Sequence, residues 1–177
     1  QSGKRVLLVN ADFRKGEPQG VFGLPQAGGL SELLGGEISA SQAIHAEVRP
    51  NLDVLTTGML PELATDVLES PAFDRLLQSF SASYDQVVID TAPVLVAADA
   101  AAVAPACGTV LLVARADRSE LGELSESIRR LTQAGAQISG VLLNGMDLSR
   151  RYNGSSGYRL GSYRHADLRS AFRPLQG

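Results

Sequence analysis

Five short runs of apolar, mostly β-branched residues punctuate the chain: Arg5–Val9 (RVLLV), Leu52–Leu55 (LDVL), Gln86–Ile89 (QVVI), Thr109–Val113 (TVLLV) and Ile138–Leu143 (ISGVLL). Near-continuous apolarity, without alternation, predicts strands buried on both faces, as in a parallel sheet. Between the runs the period changes to that of a helix. Ser70-Pro71 offers an N-cap and a first-turn proline, followed by Phe73, Leu76, Leu77 and Phe80 at helical spacing. A second helix is expected from Ser119, as cap, to Ala134 before Gly135, with Leu121, Leu124, Ile128 and Leu131 as its apolar stripe. Gly29–Gly36 (GLSELLGG) reads as a short helix bounded by glycines. Repeated β-α-β units of this kind predict an α/β fold, doubly wound, with a mostly parallel sheet and helices on both faces.

Composition narrows the class. A chain of 177 residues can bury one core of ordinary size. No apolar run approaches the roughly 18 residues of a membrane span. Gln1 leads straight into strand-like sequence without an initiator Met, which suggests a piece of a longer protein. The single Cys107 excludes an internal disulfide and a cysteine-based metal site, and the distant His45 and His165 argue against zinc. Charge divides the chain into a body, residues 1–147, of net charge −8 and a tail, residues 148–177, of net charge +5. The tail holds six arginines against Asp167, with Tyr152, Tyr158 and Tyr163 among Gly and Ser. Such a segment is either a solvated terminus or one drawn to acidic surfaces. An acidic body would repel a nucleic-acid backbone, so no nucleic-acid partner is expected.

Two predicted strands run into acid-bearing segments. Val9-Asn10-Ala11-Asp12 leads to Arg14, and Ile89-Asp90 leads to Thr91. Ligands of open parallel sheets sit beyond the carboxyl ends of the strands. A carboxylate there can accept hydrogen bonds from metal-bound water, or it can simply cap the next turn. Two such acids on strands expected to be neighbours favour the first reading.

With these segments in view, the chain resembles the bacterial tyrosine kinases, a branch of the MinD/ParA-like P-loop ATPases. Lys4–Gly16 looks like their second Walker motif, and Phe22–Leu24, Gly29–Gly36, Ser70–Leu77, Tyr84–Pro93, Asp99-Ala100, Leu111–Arg115 and Gly140–Asn144 follow in the family's order. The resemblance spans residues 4 to about 146. It implies a P-loop NTPase-like domain that uses ATP and Mg²⁺. Asp12 becomes the carboxylate near an attacking tyrosine hydroxyl, and Asp90 the Walker B acid that holds Mg²⁺ through water. Asn10 falls beside the metal and Asn144 at the adenine, and Arg14 and Thr91 come near the phosphates only by adjacency to these acids. Tyr152, Tyr158 and Tyr163 become phosphoacceptors. By the same resemblance the chain is the cytoplasmic domain of a bacterial inner-membrane polysaccharide co-polymerase, governing exopolysaccharide or capsule export. The partners implied are further copies of itself, the membrane-spanning and periplasmic portion, the export machinery and a cognate phosphatase.

Three departures from the family pattern stand out. The first strand and the Gly-rich phosphate loop do not occur in the sequence, and Gly3-Lys4-Arg5 is no substitute, since it opens a strand. Asn10 replaces the first acid of the second Walker motif and cannot supply its negative charge. A Pro-rich segment of the family is replaced by Gly58–Asp66. An autokinase is the leading reading, with a catalytically weak pseudokinase scaffold as the alternative and a partitioning ATPase behind both.

Overall fold

The computed structural model describes residues 3–14, 18–25, 28–59 and 64–146. The tail tyrosines 152, 158 and 163, like the rest of 148–177, lie outside the described residues. In chain order the elements are β1 (Val6–Ala11), α1 (Pro18–Phe22), α2 (Leu30–Leu34), α3 (Ala40–Ala43), β2 (Ile44–Arg49) and β3 (Leu52–Leu55). Then come α4 (Ala64–Leu68), α5 (Pro71–Ser83), β4 (Gln86–Thr91), α6 (Asp99–Val103) with a 3-10 turn at Ala104–Ala106, β5 (Val110–Arg115), α7 (Leu121–Gln133) and β6 (Ile138–Asn144).

All five expected strands form. β1 is central in a four-stranded sheet of order β2-β3-β1-β4 and pairs in parallel with both β3 and β4. β5 and β6 form a second, parallel pair. The sheet is therefore mostly parallel. Its one antiparallel member is β2, which pairs with β3 through Pro50-Asn51. Asn51 takes the left-handed conformation (φ 62°) that such a turn requires, with proline before it. The alternation Ile44-His-Ala-Glu-Val-Arg49 suits an edge strand with one exposed face.

α5 forms as the spacing predicts. The Ser70 hydroxyl accepts the Phe73 N–H at 3.2 Å, and Phe73, Leu77 and Phe80 are buried against Leu7, Val9 and Leu55. α7 departs from its prediction in two ways. Glu120, not Ser119, is the N-cap, because the Ser119 hydroxyl is engaged by the Arg115 N–H at 3.0 Å. The buried line runs through Ser127 and Leu131, leaving Leu121 83% and Ile128 37% exposed. The helix packs on β6 through only part of the expected stripe.

Burial on both faces holds for β1 but not for β4, β5 and β6. Val88, Leu111, Val113 and Leu142 are each about half exposed. Neighbouring Val87, Ile89, Val110 and Leu112 pack into the two cores. The alternation follows the cores: Val87 and Ile89 pack with α5 residues, and Val110 and Leu112 with Leu131 of α7.

At the amino ends of the strands a polar cluster fastens the sheet. Asp53, 8% exposed, accepts the Tyr84 hydroxyl at 2.7 Å and the Glu47 N–H at 2.8 Å, with the Arg5 guanidinium 3.6 Å away and over the Tyr84 ring. Burial pushes the Asp53 carboxyl up, but these donors outweigh it and hold the group below its ordinary range. Burial, then the bond to Asp53, pushes Tyr84 up to about 12. The folded state thus keeps the Tyr84 proton longer than the unfolded chain does, so this contribution is intact below about pH 10 and declines above it. Tyr84→Phe is expected to cost about 1–3 kcal/mol in thermal or urea unfolding. In an ultraviolet titration it should remove one tyrosine that ionises later than the other three. Four tyrosines titrating together in the native protein would contradict the cluster.

Candidate nucleotide site at the carboxyl ends of the strands

Parallel pairing decides what meets at the carboxyl end of the sheet. The β1–β4 register sets Asn10 beside Asp90 and Ala11 beside Thr91. Asn10 and Asp90 consequently share one face of the sheet, and Thr91 projects to the other with Ala11. Asp90 lies within β4, one residue before its end, and still reaches solvent. Beyond β1 the chain closes two successive Asx turns. The Asn10 side-chain oxygen accepts the Asp12 N–H at 3.0 Å, and an Asp12 carboxylate oxygen accepts the Arg14 N–H at 2.9 Å.

The acids are close enough to feel one another. Burial, then the negative charge of Asp12, raises the pKa of Asp90 above the ordinary aspartate range. A bound cation would relieve that repulsion. Among the described residues no cluster of three or more His, Cys, Asp or Glu could cage a metal ion. Mg²⁺ needs no such cage, because it keeps several waters and is held by one or two carboxylates together with substrate phosphates. Asp90 fits that donor set. Asn10 fits it less well: it is fully buried, its oxygen is committed to Asp12, and its amide nitrogen has no hydrogen-bond partner among the described residues.

Arg14 does not extend freely into the crevice. Its guanidinium grips Asp99, the first residue of α6, through Nε at 3.2 Å and a terminal nitrogen at 3.3 Å. Asn144 ends β6 in the second sheet, exposed, with its side-chain oxygen accepting the Gly145 N–H at 2.8 Å. Register thus brings Asn10, Asp12, Asp90 and Thr91 to one sheet end, and Asn144 stands on the other sheet.

The third wall of the site comes from β3. The segment Thr56-Thr57-Gly58 is buried and receives the N-terminus of α2: Leu30 N–H donates to Thr56 C=O at 2.8 Å and Ser31 N–H to Thr57 C=O at 2.9 Å. Glu32 closes the junction by accepting the N–H groups of Gly29 (3.0 Å), Met59 (3.0 Å) and Gly28 (3.3 Å). A Cβ on Gly29 would collide with the Gly58 backbone, and one on Gly58, where φ is +77°, would collide with the Glu32 carboxylate. Only glycine fits at both positions. Burial pushes the Glu32 carboxyl up, yet the backbone N–H groups, Met59 foremost, outweigh this and hold it below the ordinary range.

No family model matches the chain. Among curated relatives, EpsB of Ralstonia nicotianae, which bears a tyrosine-protein kinase name, is 42% identical over 172 residues, 97% of this chain and 23% of its own length. The solved kinase domain of Escherichia coli tyrosine kinase ETK is 37% identical, with a TM-score of 0.81 over 89% of this chain and 62% of that one. The VpsO kinase domain is 31% identical, with a TM-score of 0.76 over 81% of this chain and 71% of that one. The chain belongs to the bacterial tyrosine kinases. MinD of Pyrococcus horikoshii, 22% identical with a TM-score of 0.62 over 80% of this chain and 58% of that one, shares the fold alone. The architecture is thus the α/β fold of P-loop ATPases. The chain spans about a quarter of the length of EpsB.

Two site-building residues escape a reading of strand ends, although both lie in segments that follow the family's order. Asp99 lies in the run Ala97–Ala102, where a lone acid among alanines signals a buried partner. Glu32 stands three residues after Gly29, the spacing at which a carboxylate reaches back to a helix N-terminus. Glu32→Ala deprives three backbone N–H groups of their acceptor and is expected to cost about 1–3 kcal/mol. Because the folded state holds Glu32 below its ordinary pKa, this stability is present above about pH 5 and is lost as pH falls through the depressed value. Thermal unfolding across pH reads both statements: the gap between wild type and variant should be constant from pH 7 to about 5 and close below. A gap unchanged at the acid end would contradict the assigned role.

Proposed function

We propose that the chain is the greater part of an ATP-dependent protein-tyrosine autokinase domain, carried at the cytoplasmic side of an inner-membrane protein that governs exopolysaccharide or capsule assembly. The observation that carries this reading is the pairing of β1 with β4, which sets Asp12 and Asp90 at one crevice in a chain that belongs to the bacterial tyrosine kinases. Phosphoryl transfer to a tyrosine hydroxyl depends chiefly on positioning and charge neutralisation. Asp12, fixed by its Asx turns, is the group that orients the hydroxyl and takes its proton. Asp90, on the neighbouring strand, is the carboxylate that holds the hydrated cation. Mg²⁺, when bound with ATP, supplies the positive charge at the phosphates. Asn144, in this reading, meets the base from the second sheet.

The open edges of the two sheets support the same reading. Among the described residues β4 pairs only with β1, and β5 only with β6. A parallel strand seated between them would complete one sheet and deliver a phosphate-binding loop next to Asp12 and Asp90. The half-exposed Val88, Leu111 and Val113 would be covered with it. The domain acts as a homo-oligomer in this reading. The +5 tail of one copy is attracted to the −8 body of the next, and its three tyrosines are the acceptors. Each phosphate adds about −1.5 to −2 charges, so about three cancel the tail's positive charge and release it. The polysaccharide export machinery and a cognate phosphatase are the further partners. Asn10 favours a second reading, a weakly catalytic scaffold of the same machinery, since an amide brings no charge to the metal.

Mass spectrometry of the full-length protein, expressed as wild type and as Asp90→Ala, tests the proposal. Phosphate on Tyr152, Tyr158 and Tyr163 is expected in the wild type and absent from the variant. Phosphate that persists in the variant, or is missing from both, would overturn autophosphorylation.

A further inference from the structure

Asp99 is completely buried at the start of α6, yet it is ionic in its partnerships. One carboxylate oxygen accepts Arg14 Nε at 3.2 Å. The other accepts a terminal Arg14 nitrogen at 3.3 Å and the Thr65 hydroxyl of α4 at 2.7 Å. Three segments thereby meet on one carboxylate: the turn after β1, the start of α4 and the start of α6. The turn after β1 is the one that carries Asp12, and the Arg14 backbone N–H is itself bonded to the Asp12 carboxylate. Arg14 is therefore held at both ends, by Asp12 at its backbone and by Asp99 at its guanidinium. The bond to Asp99, and then its charge, raises the Arg14 pKa further above its ordinary value.

A two-point guanidinium–carboxylate fork fixes orientation as well as distance, which a lysine cannot reproduce. A fork spent on a buried carboxylate is poorly placed to serve as a phosphate ligand. Its geometric consequence is for Asp12. The two Asx turns fix the local shape of Asn10–Arg14, and the fork fixes that shape against α4 and α6.

We infer that Arg14 and Asp99, with Thr65, are positioning residues that brace the Asp12 turn for phosphoryl transfer, and that Arg14 acts through this brace and not by binding phosphate. The inference rests on the kinase reading above for its kinetic consequence, and on geometry alone for its structural one. A displaced carboxylate lowers the rate of the transfer step, because small misplacements are costly to a positioned reaction. It leaves the binding of ATP nearly as it was.

The test uses the full-length protein with Asp99→Asn, Arg14→Lys and the double variant. Steady-state tyrosine phosphorylation is expected to show kcat lowered about 10- to 100-fold in each single variant, with KM for ATP within about twofold of wild type. The double variant should be no worse than the poorer single one, as expected when both break one brace. Amide hydrogen exchange, read on the same samples, should quicken at least about tenfold at Asp12–Arg14 and stay unchanged in α5, which reports an intact core. Should Asp99→Asn fail to fold, Thr65→Val removes one bond to the same carboxylate and is expected to move both readouts the same way, by less.

A raised KM for ATP with kcat preserved in Arg14→Lys would make Arg14 a phosphate ligand and overturn the inference. Unchanged exchange at Asp12–Arg14 in the folded variants would overturn it as well. A wild-type protein that transfers no phosphate would defeat the kinase reading alone, and exchange would still decide the brace.

Discussion

The parallel pairing of β1 between β3 and β4 is the constraint on which everything else depends. Three strands that run the same way must deliver their carboxyl ends to one edge. At that edge the chain has placed Asn10 and Asp12 from β1, Asp90 from β4, and the buried Thr56-Thr57-Gly58 segment from β3. Register does the fine placement: a one-residue slip of β4 would exchange Asp90 for Thr91 or Ile89 on the face it shares with Asn10. Burial of Leu7 and Val9 against α5 makes such a slip costly, since it would turn their neighbours Val87 and Ile89 out of the same core.

Around that edge, backbone N–H groups and one arginine do what apolar packing cannot. Glu32 ties the N-terminus of α2 to the end of β3, and Asp99 ties the turn after β1 to α4 and α6. Both carboxylates are removed from solvent in part or in full, and both are compensated by several donors, the condition under which a buried acid is tolerated. Asp90 differs from them. It is pushed upward by burial and by Asp12, with the Thr91 backbone N–H as its opposing influence. A strained pair of acids at a crevice suits a site completed by a cation, whereas compensated acids suit a frame.

Much of this was legible in the sequence because buried parallel strands announce themselves as short apolar runs. Ser70-Pro71 announces the start of α5 just as directly. The edge strand β2 was not anticipated, since its apolar positions alternate and each is weak alone. The half-exposed Val88, Leu111 and Val113 were read as doubly buried, because composition does not say which face has a helix on it. Thr91 and Arg14 were placed near phosphates by adjacency in sequence. Strand alternation turns Thr91 to the opposite face from Asp90, and a long-range partner, 85 residues away, takes up Arg14. Non-local pairings of that kind leave only a faint local trace, here a single acid among alanines.

The most direct measurement is equilibrium binding of an ATP analogue to the full-length protein, with and without Mg²⁺, for wild type, Asp90→Asn and Asp12→Asn. If β4 presents the cation-holding acid and β1 the proton-accepting one, Asp90→Asn should weaken Mg²⁺-dependent binding about 10- to 100-fold. Asp12→Asn should leave binding within about twofold of wild type. Binding at wild-type strength in Asp90→Asn, with the same dependence on Mg²⁺, would contradict the assignment of the two acids to one nucleotide crevice.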